Sequence, residues 1–199
     1  MSKPKSSLGR AMAVIEITVT TIMAAVRRGE DAILEIPDEK IKEAAKKYVA
    51  DLIVMAKKAF TINVGGNRTA EEVVRAGKYN YANPNIGSEL FPMRSRTGKR
   101  QVVLVDVPGE GPTFTFDEAL AALQANDLGR PDYEDGLLFG EQHPEEQRAN
   151  PILFPHEPVL VHGNRDVVYL WGRAGYRKLS LDWTAYRWYR FVHVAGVRK

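Results

Sequence analysis

The residues best suited to molecular recognition lie in the C-terminal segment, residues 162–199. This segment holds all three tryptophans, eight of the eighteen aromatic residues, and a net charge of +6 in a chain whose total is +3. Tyr, Trp and Arg offer large rigid surfaces with polar groups, and they dominate the hot spots of binding interfaces. The composition therefore predicts a binding surface near the carboxyl end of an ordinary domain.

The residue types needed for catalysis or metal binding are scarce. The chain has no cysteine, which excludes a disulfide scaffold, thiolate catalysis and thiolate-bound metals. None of its four histidines has a second histidine at metal-ligand spacing. We predict that His143 is a structural or capping residue, and that the adjacent His156 and Glu157 diverge on a strand. With no nucleophile elbow or phosphate loop, we predict no enzyme activity, no metal and no cofactor.

Chemically diverse positions alternate with apolar or glycine positions in the tail. Because alternate side chains of a strand point to opposite faces, Lys178, Ser180 and Asp182 share one face, and the other face consists of Leu179, Leu181 and Trp183. We predict that the apolar face packs and that the diverse face is the ligand surface. The candidate ligand-binding residues are Asn164, Asp166, Trp171, Arg173, Tyr176, Lys178, Ser180, Asp182, Ala185, Tyr186, Tyr189 and Phe191.

The three tryptophans are expected to differ in role. Trp is largely buried on average, so Trp183 and Trp188 are predicted to anchor the core. Trp171 stands beside Gly172 at an expected turn. We predict that Trp171 is exposed and contacts the ligand.

Residues 1–68 are predicted to form an N-terminal helical portion. Apolar residues at helical spacing indicate helices over residues 14–28 and 40–59, with the short strand AILEI between them. The loop over residues 63–69 is rich in Gly and Asn, and it marks the boundary of a second domain, residues 69–199.

Basic residues near the amino terminus precede an apolar stretch, as in a signal peptide. Glu16 interrupts that stretch, which is also too short and polar to span a bilayer. We predict neither a cleaved signal nor a membrane span.

The second domain mixes helix and strand signals. Residues 79–92 read as irregular, and the strand RQVVLVDVP follows an expected tight turn at Gly98 and Lys99. Thr115 and Glu118 form a capping-box signature for the helix FDEALAALQAND. A further helix is predicted over residues 132–148, with a kink at Gly136 or Pro144, followed by short strands from residue 152. This order indicates the α+β class.

Several of these segments resemble the variable proteins of diversity-generating retroelements. The similarity lies in the predicted helix FDEALAALQAND, the sequence FGEQHPE, and the R-x-x-P-I sequence that follows it. The segments GNRDVVYLWG and LSLDW, with the terminal Val197-Arg198-Lys199, are similar to the family's variable repeat. AEEVVRAGKYNYANPNI is similar to its upstream part. The resemblance covers roughly residues 70–199, and His193 departs from it where arginine is common.

The resemblance implies a C-type lectin-like fold with an N-terminal helical extension. It also implies that a reverse transcriptase diversifies the variable region, about residues 162–199, through mutagenesis at adenines. The partner would be an unknown protein or glycan ligand, and the placement a virion or cell surface. Neither the HEP nor the DWT sequence supplies a calcium-binding cluster of carboxylates and amides, so we predict no calcium requirement.

A second reading of the tail is a single-stranded nucleic-acid-binding module. Basic residues interleaved with aromatics suit stacking on bases, and affinity would then fall steeply with salt. Against it, Asp166 and Asp182 interrupt the basic track.

The sequence leaves open whether the chain forms homo-oligomers, because the apolar stripe of the helix over residues 40–59 suits either internal packing or a second copy.

Overall fold

A computed structural model describes residues 59–94 and 96–199 of the chain. The predicted helix over residues 14–28 lies outside the described residues. So does the helix over residues 40–59, apart from Ala59, which begins a strand. The described part is α+β, as the sequence predicts.

Most strands join one mixed sheet of nine strands. Seven of them follow one another in the order β1, β3, β11, β6, β8, β9, β2, while β5 pairs with β11 and β7 with β8. The bounds are β1 Ala59–Val64, β2 Tyr81–Ala82, β3 Gly98–Val105, β5 Leu128–Gly129, β6 Ile152–Leu153, β7 Val159–Val161, β8 Asn164–Arg173, β9 Tyr176–Trp183 and β11 His193–Arg198. A separate two-stranded sheet pairs β4, Thr113–Phe114, with β10, Trp188–Tyr189.

Strand β1 belongs to this sheet, although it precedes the expected boundary at residue 68. It pairs with β3 along its whole length, from Ala59 opposite Val103 to Val64 opposite Gly98. The prediction of a tight turn at Gly98 and Lys99 is therefore wrong, since both residues belong to β3. The connection between β1 and β3 runs over residues 65–97, and it begins with Gly65 and Gly66 at φ angles of 115° and 103°.

Four helices accompany the strands in the described part of the chain: α1 Ala70–Ala76, α2 Phe116–Ala125, α3 Tyr133–Gln142 and α4 Glu146–Ala149. The single helix predicted over residues 132–148 is thus two helices. The break falls before Pro144, which disfavours helical geometry at the preceding residue, and His143 has φ −126° and ψ 58°.

The predicted capping box at the start of α2 is confirmed. The backbone N–H of Glu118 donates to Thr115 Oγ1 at 3.2 Å, and the backbone N–H of Thr115 donates to Glu118 Oε2 at 2.7 Å. These bonds satisfy two donors that a helix start leaves unpaired. They also lower the pKa of Glu118.

Residues 102–105 of β3 are buried on both faces of the sheet. Alternate residues of β3 enter two different apolar cores, with Val102 and Leu104 in the first and Val103 and Val105 in the second. Helices α1 and α3 supply the first core, and α2 supplies the second. Because each fully buried large apolar side chain contributes about 1.5–3 kcal/mol, the two cores hold β3 from both sides, whereas β9 contributes Leu179 and Leu181 to the first core.

His156 links the segment after β6 to β8 through its buried imidazole ring. Its side chain is 1% exposed, and Nε2 accepts the backbone N–H of Val168 at 2.9 Å. Nδ1 donates to the carbonyl oxygen of Glu157 at 2.7 Å. Burial lowers the pKa of His156 to about 4, because a charged ring would be desolvated and could no longer accept from Val168.

Acid is therefore expected to destabilise the fold through His156. Its pKa is about 4 in the folded chain and 6.5 in the unfolded chain, so its contribution is complete above pH 6.5 and is lost as pH falls towards 4. The expected loss is about 3 kcal/mol. Urea unfolding at pH 7 and pH 4 measures it. The variant His156→Gln keeps an acceptor without this titration, and an equal pH dependence of both proteins would contradict the prediction.

Candidate functional site

The β8–β9 hairpin brings most of the candidate residues together. Its strands are antiparallel, and residues directly opposite each other share one face. One face, here called the ladder face, consists of four such pairs. These pairs are Arg173 and Tyr176, Trp171 and Lys178, Tyr169 and Ser180, and Val167 and Asp182.

The opposite face of the hairpin packs against the first core. Leu170 pairs with Leu179, and both side chains are fully buried. Leu181 is 9% exposed, so the predicted packing of Leu179 and Leu181 is confirmed. Asp166 lies on this face too, opposite Trp183, and is thus separated from the other acidic candidate, Asp182.

Exposure falls along the ladder face from the hairpin turn towards the other end. Arg173 is exposed, and Trp171, Tyr176 and Lys178 are half-buried. The rings of Trp171 and Tyr176 meet edge to face with centroids 5.8 Å apart. Ser180 lies on the predicted face but is only 7% exposed, so the prediction that it is shown to solvent is wrong.

Trp188 closes the buried end of the ladder face. It is 4% exposed, as predicted for a core anchor, and shares the second core with Val167. Its Nε1–H donates to Asp182 Oδ2 at 3.0 Å. Burial raises the pKa of Asp182, while this hydrogen bond and the charge of Lys178 lower it.

The prediction that Trp183 also anchors the core is wrong. Trp183 is 42% exposed because it ends β9, where the sheet no longer covers it. Its ring packs edge to face on Tyr186, with centroids 5.7 Å apart. Trp183 is thus part of the exposed aromatic surface.

The remaining candidates lie outside the hairpin ladder, mostly in residues 184–192. Tyr189 and Phe191 are each 59% exposed, and their rings stack with centroids 5.5 Å apart. Ala185 and Tyr186 line a cleft of about 420 Å³ beside the start of α2. Asn164 is exposed where β8 begins.

Tyr81 joins the ladder face without any signal in the sequence. Strand β2 pairs with β9 in parallel, with Tyr81 opposite Lys178. Lys178 Nζ lies 5.0 Å from the centre of the Tyr81 ring, and Tyr81 is 42% exposed. Only the fold reveals this contact, because the two residues come from segments that are distant in the sequence and share no local motif.

Arg177 lies beneath the ladder face and is 3% exposed. Its guanidinium donates to the carbonyl oxygens of Gly77 and Gly140, and to Gln147 Oε1 at 2.9 Å. Gln147 Nε2 in turn donates to the carbonyl oxygens of Trp171, at 2.7 Å, and Lys178, at 3.0 Å. Arg177 and Gln147 therefore fix the hairpin backbone at the pair of Trp171 and Lys178, whose side chains belong to the ladder face.

A second arginine fixes the segment after the hairpin. The Arg190 guanidinium donates to the carbonyl oxygens of Val107, Pro108, Glu110 and Gly111 at 2.8–3.0 Å. Both arginines belong to the basic tail, yet their charges serve the fold and not the surface.

The histidines fit structural roles in the described residues. His143 ends α3, and its Nε2–H donates to the carbonyl oxygen of Thr61 at 2.9 Å, which confirms the predicted structural role. Within residues 59–94 and 96–199, no three His, Cys, Asp or Glu side chains are grouped to hold a metal ion. The same residues include no helix with the length and hydropathy of a membrane span.

Comparison with protein-family models, with curated proteins and with solved structures found no match to this chain.

Neighbouring residues of β9 are expected to respond very differently to truncation. Leu179→Ala should lower the free energy of unfolding by about 2–5 kcal/mol, since it leaves a cavity in the first core. Lys178→Ala should cost less than about 1 kcal/mol, because it removes only a half-exposed cation–π contact. Urea unfolding of both variants provides the measurement. Similar losses would show that the ladder face is not separable from the core.

Proposed function

We propose that this chain is a non-catalytic ligand-binding protein of the receptor or adhesin type, with a C-type lectin-like fold. The ladder face and the exposed aromatics of residues 184–192 bind a protein or glycan ligand. A retroelement diversifies this surface through mutagenesis at adenines. The ground for including a retroelement is the resemblance of residues 70–199 to the variable proteins of diversity-generating retroelements.

The observation that carries the proposal is the difference in burial between the two faces of β9. Leu179 is fully buried, whereas the neighbouring Lys178 is half-exposed beside Tyr81. Such a strand can change the residues of one face while the other face keeps the core intact. The exposed set includes Tyr, Trp and Arg, which are typical of paratopes and binding hot spots.

The geometry suits an interface with another macromolecule. Of the large apolar side chains that are exposed among the described residues, most are aromatic and belong to the tail: Trp183, Tyr186, Tyr189 and Phe191. Rigid aromatic side chains lose little conformational entropy on binding. A standard interface of about 800 Å² per partner is large enough to include several of these rings.

Sequencing of the encoding locus tests the proposed diversification. We expect a reverse-transcriptase gene nearby, together with a near-copy of the segment encoding residues 162–199. Differences between the copies should fall at adenines of the template, in codons for exposed residues such as Lys178 and Tyr186, and spare those for Leu179 and Trp188. The control is the segment encoding residues 98–161, which should have no second copy. A locus without either feature would contradict the retroelement.

A further inference from the structure

The ladder face carries two cations that no described residue neutralises. Arg173 is exposed at the hairpin turn, and Lys178 follows in the next cross-strand pair. Neither side chain forms an ion pair with a carboxylate in the described part of the chain. Lys178 Nζ lies 5.0 Å from the centre of the Tyr81 ring, and its charge also acts on Asp182, with which it forms no ion pair.

Apart from Arg198, the other cations of the tail have partners among the described residues. Arg165 lies 3.8 Å from Glu157, Arg187 lies 4.0 Å from Glu118, and Lys199 lies 2.6 Å from Asp127. Arg177 and Arg190 donate to backbone carbonyls, as described above. Arg198 lies on β11, which β6 and β8 separate from β9. The unneutralised charge of this part of the surface is thus concentrated beside Trp171 and Tyr176.

We propose, building on the proposed binding function, that the ladder face recognises an acidic segment of a protein partner. Carboxylates of that segment pair with Arg173 and Lys178, while its apolar groups cover the rings of Trp171, Tyr176 and Tyr81. Arginine binds a carboxylate through two parallel hydrogen bonds, which gives the contact direction as well as strength. Complementary charge steers association and selects among partners.

The acidic member of the ladder face does not oppose this ligand at the turn. Asp182 lies at the buried end, two cross-strand pairs away from Lys178 and Trp171. One of its oxygens accepts the Trp188 Nε1–H. An acidic segment that approaches over the hairpin turn therefore meets the cations first.

A nucleic-acid strand fits this charge pattern less well. Binding of single strands needs a groove of successive cations along the backbone, with aromatic rings for the bases. The ladder face provides two cations at one end. Beyond it, Arg165 and Arg187 stand beside Glu157 and Glu118, whose carboxylates would repel phosphates.

Selection from a random peptide library against the immobilised full chain tests the proposal. Selected peptides should be enriched in Asp and Glu. Their affinity should fall roughly tenfold or more in the double variant Arg173→Glu/Lys178→Glu, because two attractive pairs become repulsive. The matched control is Arg75→Glu/Lys99→Glu, which changes net charge equally at two exposed cations off the ladder face and should bind like the parent chain.

The outcomes separate the two proposals. Enriched peptides without acidic residues would overturn the acidic ligand and leave the proposed binding function standing. Equal losses in both double variants would also overturn it, since net charge and not the ladder face would then be responsible. Tighter binding of oligo(dT) than of any selected peptide, with a steep salt dependence, would replace it with a nucleic-acid ligand. Recovery of no peptide at all would overturn the acidic ligand, whereas the proposed binding function would still allow a glycan.

Discussion

The arrangement of the hairpin depends on one buried cation, the guanidinium of Arg177. A charge removed from water is costly unless hydrogen-bond acceptors replace the solvent, and no carboxylate pairs with this one in the described residues. The carbonyl oxygens of Gly77 and Gly140 and the amide oxygen of Gln147 take that role. Since these acceptors come from the end of α1, from α3 and from α4, the charge is satisfied only when all three helices meet β9.

Local signals allowed much of the architecture to be predicted. The capping box of Thr115 and Glu118 located α2, and the alternation of Leu179 and Leu181 with polar neighbours identified the packed face of β9. These signals depend on neighbours in sequence, so they hold whatever the rest of the chain does. The class α+β follows from the same patterns. Trp188 was correctly assigned to the core because a large indole in a small β region needs cover.

What could not be predicted depends on contacts between distant segments. Composition makes Arg177 part of a basic surface, whereas the fold buries it among backbone carbonyls. Trp183 is exposed because β9 ends there, and strand ends are the least predictable feature of a pattern. Ser180 follows the correct alternation but is covered in the folded chain. Tyr81 reaches Lys178 through a parallel pairing that no local motif announces.

The register of β9 restricts how this surface can evolve. Side chains alternate with a period of two, so one inserted residue in Tyr176–Trp183 would exchange the two faces beyond it. Leu179 or Leu181 would then meet solvent, and a polar neighbour would enter the first core. Insertions and deletions in this strand would therefore disrupt the core. Under the proposed binding function, new specificities would arise by replacing codons in place, with the number of residues held constant.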